Sequence, residues 1–304
     1  MNYQITNIDD KLIGSHEQNL STVKNNKNYT FVKGNISNKK LMTELISDSD
    51  MVVNFAAESF VDRSINNADP FLVSNIRGAY TILDIVTKQK KRLIHISTDE
   101  VFGSVSKDKV TEEEKLNPSN PYAATKASAE LLIKSYINTH KSDVIITRCT
   151  NNYGPRQFPE KLIPKTILLA NEGKKIPVYG NGMNIRDWIF VDDHCDAIHE
   201  ILLKGNSGQS YNISGNNEIS NIEIIKQILK IMDKSEDLIE FVDDRPGHDF
   251  RYSLDSSKIN HELKWLPKIN FEMGLQNTVD WYIHNPEWIH SVPNNIFDST
   301  PWKY

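Results

Sequence analysis

Three apolar runs constrain this chain most: "MVVNFAAES" (51–59), "RLIHISTDE" (92–100) and "DVIITRCTNNYG" (143–154). Each breaks off in small and polar residues. A run without strict apolar/polar alternation needs cover on both faces, which a parallel sheet between helices supplies. Helical spacing lies between the runs. "NIRGAYTILDIVTKQKK" repeats through Ile76, Tyr80, Leu83 and Val86, and "PYAATKASAELLIKSYIN" opens on Pro121, a tolerated first helical residue. "MNYQITNIDD" and "TFVKGNIS" supply two shorter strand candidates nearer the start. This βαβ rhythm predicts an α/β fold with helices on both faces of a parallel sheet. Ligands of such sheets bind beyond the carboxyl ends of the strands. The ends here are Ala56-Ala57-Glu58-Ser59, Thr98-Asp99-Glu100 and Asn151-Asn152-Tyr153, so all three clusters are predicted to face one crevice.

Past Gly154 the texture shifts. "PRQFPEKLIP", "KKIPVYGNGMNIRDW" and "DDRPGHDFRY" are rich in proline, glycine and arginine. Residues 1–150 are therefore expected to form the sheet domain and 151–304 a smaller one. The stretch 185–210, with "WIFVDDHCDAIHEILLKG", is expected to return to the first domain. A formal net charge of −5 over 304 residues argues against nucleic acid as a partner, since phosphate calls for concentrated positive surface. Cys149 and Cys195 fit no metal spacing, and "DHCD" around His194 lacks a second cluster, so no metal is expected. The opening "MNYQITNIDDKLIG" lacks the apolar core of a signal peptide, and no stretch is long and apolar enough to cross a membrane. A cytoplasmic setting is the expectation.

Asp99 and Glu100 stand side by side where the apolar run 92–96 gives way to Ser97 and Thr98. Adjacent acids at a strand mouth are either a solvated turn or an acid and a base. Downstream, Tyr122 and Lys126 are four residues apart and so share one helix face. A phenol titrates near ~10, and a nearby ammonium lowers that value, so such a pair can take a proton from a sugar hydroxyl. An amphipathic helix carrying both residues by chance is the bland alternative.

Together these segments resemble the extended short-chain dehydrogenase/reductase family and, within it, the nucleotide-sugar 4,6-dehydratases. The likeness runs in order through "NFAAESFVDRSI", "STDEVFG", "NPYAATKASAE", "RCTNNYGPRQFPEKLIP", "IRDWIFVDDH", "YNISGNNE" and "DRPGHDFRY". It implies a Rossmann-like doubly wound sheet with a smaller substrate domain, NAD as cofactor, and dTDP-glucose as the substrate ahead of UDP-glucose or GDP-mannose. It also implies a homodimer built on the helices at 73–90 and 122–138. Tyr122, with Lys126 and Thr98, would start oxidation at sugar C4. Glu100 would take the C5 proton and Asp99 would protonate the departing C6 hydroxyl. Cofactor contacts carried over by the resemblance are Asp9, Asn35, Ile36, Phe55, Ala56, Ala57, Ser74, Ser97 and Asn152, besides Tyr122 and Lys126. Substrate contacts are Ser59, Asn151, Lys161, Leu162, Pro177 and Tyr179, then Arg186, Asn212, Arg245 and His248, with Glu100. Arginine suits a diphosphate through paired, charge-assisted hydrogen bonds, although Arg186 and Arg245 each also neighbour an aspartate that can hold them structurally.

The chain departs from the family at its front. Only Gly14 precedes Gly34, and no G-x-x-G-x-x-G occurs. "YQITNIDD" resembles the family's second strand, so the first βα unit, roughly thirty residues, is expected to be absent, leaving neighbouring strands unpaired. Three outcomes stay open from sequence: an ordinary dehydratase, a chain that binds the sugar nucleotide without turning it over, or one that holds the cofactor through a rearranged N-terminus.

Overall fold

The computed structural model describes residues 3–290, 292 and 302. In chain order it opens with β1 (Ile5–Asp9), β2 (Tyr29–Lys33), α1 (Lys39–Ser47), β3 (Met51–Asn54) and α2 (Val61–Asn66). Next, α3 (Asp69–Phe71) runs through a π-helical turn (Leu72–Gly78) into α4 (Ala79–Gln89). β4 (Arg92–Thr98), α5 (Pro121–His140) and β5 (Val144–Cys149) follow. The second half holds β6 (Asn151–Tyr153), α6 (Leu162–Asn171), β7 (Ile176–Tyr179), β8 (Ile185–Phe190) and α7 (Val191–Lys204). It continues through β9 (Ser210–Ile213), β10 (Glu218–Ser220), α8 (Asn221–Ile231) and β11 (Ile239–Val242), and then α9 (Ser257–Leu263), α10 (Phe271–His284) and α11 (Pro286–His290).

The main sheet has four parallel strands in the order β3-β4-β5-β9. Its residues alternate between two cores, which is why the central runs carry no polar face. Leu93, Val144 and Ile146 pack with Met42, Ile82, Val86 and Ile133 from α1, α4 and α5. Ile94, Ile145 and Ile213 pack the other way, against Ile198 and Ile201 of α7 and Ile259 and Leu263 of α9. Covering both faces this way stabilises the fold by about 25 cal/mol per Å² of apolar surface removed from water. The register sets Thr98 opposite Cys149. The acids after β4 and the asparagines after β5 therefore emerge together at one end of the sheet.

β1 and β2 form a separate parallel pair. Among the described residues, β1 and β3 each keep one edge without a strand partner. Ile5 and Met51 on these edge strands are exposed. The second region is built on β10-β8-β6 and the parallel pair β11-β7. Its core joins Ile163 and Ile167 of α6, Ile224 and Ile228 of α8, and Leu275 and Val279 of α10 to Trp188 and Phe190.

Candidate active site

The site starts where β4 stops. Thr98 caps a 3-10 turn, Asp99–Phe102, with its hydroxyl accepting from the Glu100 N–H at 3.3 Å. Gly103 ends that turn at φ +69°, and a Cβ there would lie 2.3 Å from the Asn117 carbonyl oxygen. Only glycine lets the chain leave so tightly. The turn separates the two acids by burial. Asp99 is buried, accepts from Thr98 Oγ1 at 3.1 Å through Oδ1, and keeps Oδ2 buried without a partner. Burial, reinforced by the Glu100 charge, pushes its carboxyl well above the usual range, which favours the protonated form. Glu100 is partly open, with Asn120 Nδ2 at 3.3 Å and Tyr252 Oη at 3.4 Å from its Oε2.

Asn120 does two jobs. It caps α5, accepting from the Ala123 N–H at 2.9 Å, and its amide reaches Glu100. With Pro121 first in the helix, this cap fixes Tyr122 in the opening turn beside the acids. Lys126 follows on the same face, and its Nζ donates to the Ile96 carbonyl at 2.5 Å. Here the structure corrects the sequence expectation. The Tyr122 phenol is pushed well above its ordinary value, first by burial and then by the Glu100 charge, although a hydrogen bond with Thr98 works the other way. Lys126 does not offset this, because its ammonium is turned to the backbone of β4. Burial lowers Lys126 itself to about 8.

The cofactor candidates lie along the same end of the strands. Asp9 closes β1 and accepts from the Lys11 N–H at 2.6 Å. Asn35 donates to Asp10 at 2.9 Å, and the neighbouring Ile36 is buried. Phe55 is exposed beyond β3, with Ala56 and Ala57 half-buried next to it and Ser74 on the π-helical turn. Ser97 Oγ and Asn152 Oδ1 are buried acceptors without protein partners. Cys149 sits between them, its Sγ 3.3 Å from Asn152 Nδ2.

On the substrate side, Lys161 Nζ donates to the Ser59 carbonyl at 2.7 Å, and Leu162 begins α6 immediately after it. Asn151 opens β6, while Pro177 and Tyr179 belong to β7. Neither arginine is spent on its neighbouring aspartate. Arg186 donates to the carbonyls of Ile185 at 2.7 Å and Asp249 at 3.0 Å, and its guanidinium lies 4.3 Å over the Tyr252 ring. Arg245 pairs with Asp62 at 2.6 Å. His248 bonds Asp244 at 2.6 Å, yet burial and the charges of Arg245 and Arg186 lower it to about 4. Asn212 is fully buried in β9, where its amide donates to the Val110 carbonyl at 2.9 Å and its N–H to Glu112 at 2.8 Å, while its Oδ1 is buried without a partner. That residue ties the 110–112 segment to the sheet, a role invisible in "YNISGNNE". Asn120, Tyr252 and Asp62 are the site residues the sequence reading missed. Asn120 carried a signal, since an asparagine before a proline and a helical run reads as a cap.

Residues 2–278 match the family described as GDP-mannose 4,6 dehydratase. The low-salt glycan biosynthesis protein Agl12 of Haloferax volcanii is 46% identical over 94% of this chain and 94% of its own length. A dTDP-glucose 4,6-dehydratase of Streptomyces niveus is 44% identical, over 94% of this chain and 85% of the relative. A crystal structure of DesIV, described as a dTDP-glucose 4,6-dehydratase from Streptomyces venezuelae with NAD and TYD bound, superposes with a TM-score of 0.93. It is 40% identical, covering 95% of this chain and 90% of that one. On this match along most of its length, the chain belongs to the GDP-mannose 4,6-dehydratase family of extended short-chain dehydrogenases/reductases.

Proposed function

We propose that this protein is an NAD-dependent dTDP-glucose 4,6-dehydratase, forming dTDP-4-keto-6-deoxyglucose and water for deoxysugar synthesis. The observation that carries this reading is the division between the two acids: a buried Asp99 with an unpartnered Oδ2, its carboxyl pushed up by burial, next to a partly open Glu100. An elimination needs one carboxyl group in each role, and environment is what assigns them. The dTDP-glucose 4,6-dehydratases among the relatives support the substrate.

The residues fit NAD at its two ends. Partnerless buried acceptors at Ser97 and Asn152 suit the nicotinamide, and the Asp9 carboxylate beyond β1 suits the adenosine ribose. When bound, NAD would supply a reversible hydride carrier, accepting hydride from C4 and, once reduced, returning it to C6. Tyr122 and Thr98 hold the sugar O4, and Tyr122 takes its proton. The 4-keto group acidifies the C5 hydrogen, which Glu100 removes. Asp99 gives its proton to the C6 hydroxyl, which leaves as water. Arg186 and Arg245 hold the diphosphate, with Lys161, Tyr179 and His248 around them.

For Tyr122 to take a proton, the Lys126 ammonium must turn from the Ile96 carbonyl toward the phenol, and only its charged form then favours the phenolate. That form is lost as pH rises through about 8. The pH profile of kcat/KM, which reports the free enzyme, is therefore expected to fall on an alkaline limb near 8. A profile flat from pH 7 to about 9.5 would remove Lys126 from this role.

Residues 1–150 serve the cofactor and 151–304 the sugar nucleotide in this reading, and α7 packs back onto the main sheet. The chain acts as a homodimer through α4 and α5, whose Tyr80 and Leu131 are exposed apolar residues suited to a helix-to-helix contact. Two free thiols, buried Cys149 and exposed Cys195, fit a reducing cytoplasm. One observation favours a second reading, sugar-nucleotide binding without turnover. Among the described residues, β1 and β3 each keep one edge without a strand partner. Incubation with NAD and dTDP-glucose, followed by the absorbance of the 4-keto product in alkali, decides between them. Product from dTDP-glucose ahead of UDP-glucose or GDP-mannose is the expected result. Tight binding of dTDP-glucose with no product would favour the second reading.

A further inference from the structure

Asp62 lies at the start of α2 with its side chain 1% exposed. Its two oxygens go to different residues of the second region. Oδ1 accepts from Arg245 Nη1 at 2.6 Å, and Oδ2 accepts from Tyr179 Oη at 2.9 Å. Tyr179 is the last residue of β7 and pairs with Val242, the last of β11, three residues before Arg245. A single carboxylate from the sheet side thus fixes both. Arg245 turns one edge to Asp62, while its Nε is buried with no partner in the protein. The guanidinium also lies close enough to Arg186 for the two charges to oppose each other. A buried anion at Asp62 offsets the repulsion between these two guanidinium charges.

From this geometry we infer that Asp62 is a positioning residue, holding Arg245 and Tyr179 in register beside Arg186 for the diphosphate of the nucleotide sugar. The inference rests on the dTDP-sugar reading above. The simpler account makes Asp62 only a tie between the two regions, like the Lys161–Ser59 contact at 2.7 Å or the Arg63–Glu160 pair at 3.3 Å. The two accounts part on which portion of the ligand suffers when the charge is removed.

Isothermal titration of the whole chain with dTDP and with thymidine separates them. Asp62→Asn keeps the shape but not the charge. It is expected to weaken dTDP binding about tenfold or more while leaving thymidine unaffected, because charge-assisted bonds to the phosphates are what it loses. KM for dTDP-glucose should rise by a similar factor, with kcat within about twofold of wild type. Asp62→Glu, which restores the charge, should recover most of the affinity. Equal losses for dTDP and thymidine, or a fall in kcat at unchanged KM, would overturn the inference. Should D62N melt too early to titrate, D62N/R245Q compared with R245Q provides the second arm, since removing both members of a buried pair is milder than removing one. No further loss of dTDP affinity is expected there, and additive losses would overturn the inference. A wild-type chain that fails to bind dTDP contradicts the underlying reading instead, and does so before any substitution is made.

Discussion

A Glu100→Gln variant is expected to lose exchange of the sugar C5 hydrogen with solvent, and overall product formation with it, by about 10²–10⁴. The substitution keeps an oxygen where Asn120 and Tyr252 now reach Oε2 at 3.3 Å and 3.4 Å, so the pocket keeps its shape. Only the base is gone. Binding of dTDP, measured by titration, should stay within about threefold of wild type, because the phosphates are assigned to Arg186 and Arg245. Exchange at the wild-type rate would take the proton abstraction away from Glu100. Asp99→Asn would not produce the same phenotype. It removes the proton donor but leaves the base, so C5 exchange should continue while water loss stops.

The second large effect lies behind the site. Arg148 of β5 and Glu130 of α5 have fully buried side chains. Arg148 Nε meets Glu130 Oε1 at 3.0 Å, and Nη2 meets Oε2 at 2.7 Å. The same guanidinium donates to the Glu112 carbonyl at 3.2 Å and lies 4.8 Å over the ring of Phe102, which ends the acid turn. One buried cation thus joins the sheet, the helix of Tyr122 and Lys126, and the turn of Asp99 and Glu100. Arg148→Met leaves the Glu130 carboxylate buried and unpaired, and urea unfolding should register a loss of about 3–5 kcal/mol. Glu130→Leu combined with Arg148→Met removes both charges and should recover most of that stability. A single variant as stable as wild type would show that water reaches the pair.

How much of this was legible differs from element to element. β4 and its acids were readable because a strand covered on both faces must be apolar, so its end is marked by the first polar residues. α5 was readable from Asn120, Pro121 and the helical repeat. Asp62 was not, since its partners Tyr179 and Arg245 lie 117 and 183 residues away in sequence. Asn212 in β9 shows that a polar residue in a conspicuous motif can also serve the interior of the sheet, through its bonds to Val110 and Glu112. Tyr122 shows why spacing alone does not settle a titration. Four residues along a helix put Lys126 on the right face, but the carbonyl of Ile96 claims its ammonium, and burial then dominates the phenol. The division of the sheet into β1-β2 and β3-β4-β5-β9 follows from which strands pair, which local sequence does not encode.

In this reading one active site oxidises C4, eliminates water across C5 and C6, and reduces C6. Turnover of dTDP-glucose carrying deuterium at C4, with the product examined by mass spectrometry and NMR, tests it most directly. The expected product is a 4-keto-6-deoxy sugar nucleotide with that deuterium in its C6 methyl group. Deuterium retained at C4, in unchanged substrate or in its C4 epimer, would contradict it.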